Sequence, residues 1–391
     1  MNLLLLSIFG IFLSFFLYFY TRVPYKHTNK IEKQYDSTRN KIFLLVDFLL
    51  LFYFAYVVFG TFQYIETNKY IAIVKANDLP RYKMYYGIVA SSNSYGEAFE
   101  NIGLEPFFTF LYYFCGKISS NFSFFLFLFY SFNFYSWLIF IKRFKKNFNI
   151  ITAFAFFSFI FTQYLISFCL LRMEVAVTIA LWVYIFLDKK KLYKAFFTII
   201  FAVLVHNSAI FLLIPFFLYL IYLKKDIRRM FFCFLAIFSI GLIGSSILPF
   251  LLPLIARRYL AYMTSSGVAF NTYLTNSFFL FLIYLKRKVF FKDFHDVLLV
   301  VFLLSSLLIL DFQLAISMFY RMIYFTQPAL FIIIGKVFSI YKLEAKHMER
   351  NFIIRIFLIL YIFFYYYKFS TGVWEALDLV DYKLDFNFLN L

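Results

Sequence analysis

Long apolar runs alternate with short polar segments along the whole chain, and this pattern predicts a series of membrane-spanning helices. Several runs approach or exceed the roughly 20 apolar residues that cross a hydrocarbon core as a helix. We expect about twelve spans. Their approximate ranges are 3–20, 42–59, 122–141, 148–168, 172–187, two within 195–223, 230–248, 273–285, 297–310, 323–338 and 352–369.

Two segments depart from the simple alternation. Residues 106–116 are apolar but reach only about 16 Å as a helix, so we expect a re-entrant or interfacial segment there rather than a crossing. Residues 195–223 are short for two crossings, which predicts a tight or partly penetrating hairpin with His206 near its turn.

Composition agrees with a membrane protein. The chain is 64% hydrophobic and 15% charged, with a mean hydropathy of +0.81, whereas soluble domains are nearer half apolar. We therefore predict one all-α domain over residues 1–391, a polytopic helical bundle. Its two long polar regions, 60–121 and 249–271, are expected outside the cytoplasm, and the first of them includes the re-entrant segment.

The distribution of positive charge orients this bundle. Of the 38 Lys and Arg residues, 26 lie in six short segments: 21–41, 142–146, 188–194, 224–229, 286–292 and 341–355. Cytoplasmic loops carry such an excess, so we place these segments in the cytoplasm and both termini outside. The net charge of +18 therefore indicates membrane topology rather than nucleic-acid binding, for which no soluble domain exists.

Known cofactor and nucleophile motifs are missing from the sequence. The three cysteines, Cys115, Cys169 and Cys233, lie in apolar segments without metal-ligand spacing. There is no P-loop, no G-x-G-x-x-G and no G-x-S-x-G. We expect neither a metal nor an organic cofactor.

The first outer region contains the segment NDLPRYKMYYG, residues 77–87. On a helix that begins after Asp78, the side chains of Asp78, Arg81, Tyr82 and Tyr85 share one face. An acid, an arginine and two tyrosines could bind a polar substrate such as a sugar phosphate. A solvated surface helix with Asp78 as its N-cap explains the same residues.

Glu105 and Arg172 each lie where an apolar run begins on the outer side. Glu105 precedes Pro106, so it could be catalytic or could simply interact with the N-terminus of a helix. Arg172 has no basic neighbour, and a guanidinium binds phosphate oxygens bidentately. Its alternatives are snorkelling or local pairing with Glu174, although residues two apart do not face each other on a helix.

His206 is the single histidine outside the predicted cytoplasmic loops. A histidine in an apolar helix is often a packing residue with its hydrogen bonds satisfied. The position of His206 at an outer turn, beside Asn207 and Ser208, favours proton transfer or hydrogen bonding to a substrate instead. Because the turn at residues 188–194 joins the two helices, we expect Arg172 and His206 at the same surface.

Further arginines lie on the outer side, where the positive-inside rule disfavours them. Arg257 and Arg258 are in the second outer region, and Arg321 follows Tyr320 at the start of the next-to-last predicted span. Each could anchor a helix among lipid headgroups. Together with Arg172 they form a candidate site for a diphosphate.

These motifs resemble those of the EpsG/Wzy-type polysaccharide polymerases, which assemble O-antigen, capsule or exopolysaccharide at the bacterial inner membrane. The resembling motifs, in the family's order, are D-x-x-R-Y-x-x-Y at Asp78–Tyr85, E-P-x-F at Glu105–Phe108, L-R-x-x-x-A at Leu171–Ala176, H-x-S at His206–Ser208 and an outer arginine at Arg321. This chain has Met173-Glu174 where the family often has Gln-x.

The resemblance implies a glycosyltransferase that works without a metal at the outer face of the bacterial cytoplasmic membrane. It would move a growing glycan from an undecaprenyl-diphosphate donor onto an undecaprenyl-diphosphate-linked repeat unit. On this interpretation Arg81, Tyr82, Tyr85 and the outer arginines bind diphosphate or sugar. The candidate bases are His206, first, and the carboxylates Asp78 and Glu105. Membrane lipids and a chain-length regulator are the expected partners.

Three other functions are compatible with parts of the pattern. A GT-C-type glycosyltransferase using a lipid-phosphate sugar usually has an acidic pair in the first outer loop, and Asp78 has no second acid at that spacing. A lipid-linked oligosaccharide flippase or exporter is expected to carry charge along a central cavity, whereas here charge lies at one face. A purely structural membrane subunit is the third alternative.

Overall fold

The structure is a computed structural model, and it describes residues 79–144, 170–223, 270–290, 294–313, 317–341 and 352–361, with isolated positions between 232 and 243. Within these residues every regular element is helical, so the all-α prediction is confirmed for the described part of the chain. The helices are α1 Leu79–Ser91, α2 Tyr95–Ile102, α3 Pro106–Ile118, α4 Phe122–Phe144, α5 Leu171–Asp188, α6 Leu192–Val205, a first 3₁₀ helix Asn207–Leu212, α7 Leu213–Leu223, α8 Phe270–Leu285, α9 Arg287–Phe290, α10 Phe294–Gln313, a second 3₁₀ helix Ser317–Phe325, α11 Gln327–Ile340 and α12 Phe352–Tyr361.

Helices α1, α2 and α3 form a compact unit around buried aromatic rings. The ring of Tyr86 packs edge-on against that of Tyr112, with centroids 5.2 Å apart, and Tyr112 packs on Phe125 of α4 at 4.6 Å. Ser94 caps α2 by accepting a hydrogen bond from a backbone N–H, and Gly103 ends this helix in the left-handed conformation that glycine adopts without strain. These ring contacts hold α3 against α1 and α4, and the end of α2 at Gly103 leads directly into α3.

Helices α4 and α6 both pack along α5. In α4 the 23 residues reach about 34 Å, and α4 is the single helix in the described residues that is both long and apolar enough to cross a membrane. Shorter apolar helices follow the same pattern. They are Leu192–Val205, Asn207–Leu223, Leu274–Leu285, His295–Ile309, Gln327–Ile340 and Phe352–Tyr361.

The chain turns back sharply at His206. Helix α6 ends at Val205, and His206 has an extended backbone before the first 3₁₀ helix begins. Two contacts show that the returning chain runs beside the hairpin: Phe196 packs on Phe216 with centroids 5.8 Å apart, and the Tyr219 hydroxyl donates to the Leu187 carbonyl at 2.7 Å. The chain thus reverses direction within residues 195–223, where a tight or partly penetrating hairpin is expected, and its depth in the membrane stays a prediction.

A cluster of charged side chains joins the helix ends opposite His206. The buried carboxylate of Asp188, at the end of α5, pairs with Arg143 at the end of α4 and with His295 at the start of α10. Next to His295, the buried Asp296 pairs with Lys336 of α11 at 2.9 Å. These pairs satisfy carboxylates that would be costly to bury alone, and they hold four helices together at one end.

The boundaries of two predicted spans are corrected by these contacts. The apolar pattern predicts a helix over 297–310, but α10 begins at Phe294 because His295 and Asp296 are paired and remain helical. The pattern also predicts a helix over 323–338, whereas α11 begins at Gln327. Pro328 lies in its first turn, where the missing N–H is tolerated.

Other predictions fall partly or wholly outside the described residues. The first two predicted spans, the 148–168 span and nearly all of 230–248 and 249–271 lie there. The count of about twelve spans therefore stays a prediction. Residues 106–116 are helical within α3, and their depth in the membrane stays a prediction too.

Candidate functional site

Arg172, Glu105 and Tyr82 meet at the beginnings of α5 and α3. The Nη1 group of Arg172 pairs with Oε2 of Glu105 at 2.5 Å, and its Nε donates to the Tyr82 hydroxyl at 3.4 Å. The guanidinium also lies 6.0 Å from the centroid of the Tyr82 ring. Both charged side chains are mostly buried, with 26% of Arg172 and 11% of Glu105 exposed.

The carboxylate of Glu105 is directed at Arg172 rather than at its own helix. Glu105 occupies the N-cap position of α3, yet its side chain makes no capping hydrogen bond. Pro106 at the first helical position has no N–H to satisfy. Helix capping alone therefore does not explain the orientation of the Glu105 side chain. Local pairing with Glu174 likewise does not explain the orientation of Arg172, which pairs with Glu105 instead.

His206 is held at the break between α6 and the first 3₁₀ helix. Its Nδ1 atom accepts from the backbone N–H of Ser208 at 3.3 Å, and the Ser208 hydroxyl lies 2.6 Å from the same nitrogen. His206 thus caps the 3₁₀ helix through its ring. This geometry fixes the orientation of the imidazole.

The electrostatic environment of His206 connects it to the arginines. The pKa of His206 is lowered to about 4: burial is the main cause, the carboxylate of Glu105 opposes it, and Arg172 and Arg321 add to it. His206 lies between two apolar helices and within neither of them. At this pKa the imidazole is neutral at physiological pH, and it lies within electrostatic range of Glu105, Arg172 and Arg321.

Arg321 belongs to the second 3₁₀ helix, which packs against the first 3₁₀ helix and against α5. The Tyr184 hydroxyl of α5 donates to the carbonyls of Phe325 and Thr326, at 3.0 and 3.2 Å. These bonds position the 3₁₀ segment against α5. Because of this packing, residues about 150 positions apart in sequence contribute charge to the same site.

The remaining predicted site residues have different placements. Tyr85 is half-buried on α1, and Arg81 is exposed, so Arg81 and Tyr82 do not face the same environment. Asp78, Arg257 and Arg258 lie outside the described residues. The structure thus brings together Tyr82, Glu105, Arg172, His206 and Arg321.

Two polar groups near the site were missed by the sequence interpretation. The Tyr112 hydroxyl is fully buried, within electrostatic range of Tyr82 and Arg172, and forms no hydrogen bond in the described part of the chain. On the other side of α5, Asn133 of α4 donates to Oε1 of Glu174 at 3.1 Å and to the Thr178 hydroxyl at 2.6 Å. The periodic placement of Glu174 and Thr178, four apart on one helix face, was the available signal for the second group.

The arrangement is suited to binding an anion beside a proton acceptor. Two arginines supply positive charge, while Glu105 and His206 can hold or release protons. No cluster of three or more His, Cys, Asp or Glu side chains that could hold a metal occurs among the described residues.

Comparison with known families now identifies the chain. The family model described as the EpsG family matches residues 74–383, which includes every residue of the site. Comparison with curated proteins and with solved structures gives no match. The family match confirms the resemblance inferred from the motifs, and EpsG family members are membrane proteins with a polysaccharide-polymerase-like role. The chain therefore belongs to the EpsG family.

Proposed function

We propose that this protein is a polysaccharide polymerase that joins undecaprenyl-diphosphate-linked repeat units by glycosyl transfer at the outer face of the bacterial cytoplasmic membrane. The observation that carries the proposal is the convergence of Arg172, Arg321, Glu105 and His206 at one end of the bundle. Family membership supports the general role, and the site suggests the kind of substrate.

A diphosphate matches the charges of the site. Arg172 donates from Nη1 to Glu105 and from Nε to Tyr82. Within the described residues the Nη2 atom of Arg172 forms no hydrogen bond. Each guanidinium has five N–H donors in a fixed plane, which suits phosphate oxygens. Arg321 provides a second positive charge near His206. Together they would stabilise the negative charge that develops on a departing diphosphate.

The proposed step is a direct glycosyl transfer. The acceptor sugar hydroxyl attacks the anomeric carbon of the donor glycan, and a new C–O bond forms. The bond from this carbon to the diphosphate oxygen breaks, and its electron pair leaves with the lipid diphosphate. The acceptor proton passes to a base of the site, His206 or Glu105, and from there to the diphosphate or to water. No redox partner or nucleotide sugar is needed.

Substrates, partners and location follow from this proposal. Both donor and acceptor are lipid-linked, so they reach the site from the membrane, and a chain-length regulator would act on the growing glycan. The opposite end of α5 leads into segment 188–194, which contains four lysines. The positive-inside rule places such a basic segment in the cytoplasm, which supports an outward-facing site.

A deletion strain tests the proposal. We expect loss of the long surface polysaccharide and accumulation of single repeat units on lipid diphosphate at the outer leaflet, measured by glycan gel, by mass spectrometry of extracted lipids and by labelling of the repeat-unit sugars in intact cells with a membrane-impermeant reagent. Accumulation at the inner leaflet would instead indicate a flippase. Normal polysaccharide length in the deletion strain would contradict the proposal altogether.

A further inference from the structure

The hydrogen bonds of His206 restrict which of its ring nitrogens carries the proton. Nδ1 accepts from the backbone N–H of Ser208 at 3.3 Å, and the Ser208 hydroxyl is 2.6 Å away. A backbone N–H can only donate, so Nδ1 must present its lone pair. In a neutral imidazole the proton is then on Nε2.

The surroundings of His206 favour this neutral form. The ring is largely buried at the start of a 3₁₀ helix, where backbone N–H groups point towards it. Arg172 of α5 and Arg321 of the second 3₁₀ helix oppose a further positive charge, and Glu105 of α3 is the one nearby charge in the described residues that favours it. Protonating Nδ1 would also break the cap made with Ser208.

The free nitrogen of the ring is therefore a donor. Nε2 has no hydrogen-bond partner among the described residues, and in this tautomer it carries a hydrogen and no accessible lone pair. A group of this kind can donate to an oxygen, but it cannot take a proton from a hydroxyl. A neutral imidazole fixed at a helix N-terminus is a known way to supply such a donor.

We infer that His206 is a neutral hydrogen-bond donor to an oxygen of the substrate diphosphate, with its tautomer set by Ser208, and that Glu105 is the group that takes the acceptor proton. The inference rests on the proposed function for the identity of the substrate. In the transfer step, the Nε2–H bond stays intact and stabilises charge on the leaving oxygen. The acceptor proton moves to the Glu105 carboxylate while the sugar–oxygen bond to the diphosphate breaks.

Ser208 is then a positioning residue. It does not contact the substrate in this scheme, and it acts by holding His206. Arg172 has a similar positioning role in this scheme. Its guanidinium binds the diphosphate and, through the ion pair, also holds the Glu105 carboxylate in place. His206, between α6 and the first 3₁₀ helix, would supply the donor, and Glu105, at the start of α3, would supply the base.

Three substitutions at position 206 separate a donor from a base. His206→Gln places an amide N–H close to the position of Nε2 and cannot act as a base, whereas His206→Asn places its amide nearer Nδ1. We expect His206→Gln to keep polymer formation within about 10-fold of wild type, and His206→Asn and His206→Ala to lose about 10²–10³-fold, at equal protein level. A His206→Gln variant as inactive as His206→Ala would overturn the donor role.

Nitrogen-15 NMR of the full-length protein in nanodiscs tests the tautomer independently of activity, with the His206 signals assigned from their absence in His206→Gln. We expect the Nε2–H form in wild type. Ser208→Ala removes a hydroxyl that stabilises the neutral ring, so the pKa of His206 should rise by about one, and Ser208→Thr should restore it. An Nδ1–H form in wild type would overturn the inference, whereas normal polymer in the deletion strain would overturn only the proposed function.

Discussion

Arg172 joins more parts of the site than any other described side chain. It contacts Glu105, 67 residues earlier, and Tyr82, 90 residues earlier. Its planar guanidinium makes both contacts at once and keeps one nitrogen for a ligand. The function of this residue therefore depends on shape as well as on charge.

Replacing Arg172 by lysine should nearly abolish polymerisation. Lysine keeps the positive charge but cannot bond Glu105, Tyr82 and a phosphate in one plane. We expect a loss of about 10²–10³-fold for Arg172→Lys and at least as much for Arg172→Ala, measured as polymer formed from lipid-linked repeat units by purified protein.

A matched control is available at another arginine. Arg287 is exposed and lies over the ring of Tyr284, 4.8 Å from its centroid. Arg287→Ala should stay within about 2-fold of wild type, because surface substitutions rarely cost more than about 0.5 kcal/mol. If Arg172→Lys performed as well as Arg287→Ala, a role for Arg172 in diphosphate binding would be untenable.

Sequence patterns identified the individual polar residues better than their partners. Arg172 and His206 stand out because each is a polar group in an apolar run. The Glu105–Arg172 pair could not be predicted, since it depends on how α3 packs against α5. The pattern placed Arg81 and Tyr82 on one helix face but could not tell that Arg81 is exposed and Tyr82 buried, because helical periodicity does not say where the boundary between buried and exposed positions falls.

At the scale of helices, α1 and α3 approach each other unusually closely. A Cβ atom built on Gly116 would lie 2.9 Å from Cα of Ala90. Backbone cannot move away from such a contact as a flexible side chain can. Glycine at this position therefore allows α1 and α3 to pack this closely.

Gly116→Val should push α3 away from α1 and lower both stability and activity. Overpacking of this kind costs about 1–3 kcal/mol, which would lower the apparent Tm by about 1–2 °C per kcal/mol for a chain of this length. Gly87→Ala is the matched control, since no atom of the described residues lies within 4 Å of a Cβ there, and it should be neutral or slightly stabilising. Equal Tm values for the two variants would contradict the packing argument.

A second prediction at this scale concerns α4 and α5. Asn133 bridges Glu174 and Thr178 in a buried position. Glu174→Gln keeps an acceptor oxygen for Asn133 and should be close to neutral, whereas Glu174→Leu leaves the Asn133 amide without this partner and should cost about 1–3 kcal/mol.

Thermal unfolding in detergent, followed by the loss of monodisperse protein, measures this difference. The double variant Asn133→Leu with Glu174→Leu should recover part of the loss, because neither partner is then left unsatisfied. If Glu174→Gln were as destabilised as Glu174→Leu, the carboxylate charge itself would be required, contrary to a purely hydrogen-bonded role.

For the whole molecule, the charged cluster at Asp188 and the site at Arg172 lie at opposite ends of α5. We predict that these ends face opposite sides of the membrane, the first in the cytoplasm. With the three native cysteines replaced by alanine, Glu100→Cys should react with a membrane-impermeant maleimide in intact cells. Lys191→Cys should react only after permeabilisation; both positions are exposed in the structure. The reverse labelling pattern would refute the outward-facing site.

The sequence predicts the features of the fold that depend on local pattern better than those that depend on contacts between distant segments. The alternation of apolar and basic segments predicted helices that the structure shows at 122–144, 171–188 and 270–285. It could not place His295 and Asp296 inside a helix, because their burial depends on pairing with Asp188 and Lys336 from distant segments. The local sequence pattern therefore predicts that a helix is present, whereas the start of α10 also depends on ion pairs with residues far away in the sequence.

The cluster around Asp188 also has a consequence for biogenesis. Arg143 has already been synthesised when Asp188 emerges, but His295 follows 107 residues later. At about 5–20 residues per second, that delay is on the order of 5–20 s. During this interval the ion pair between Arg143 and Asp188 can already join α4 and α5. The later half of the chain is then still entering the membrane. Arg321 would then join a nascent site whose Glu105–Arg172 side was assembled first.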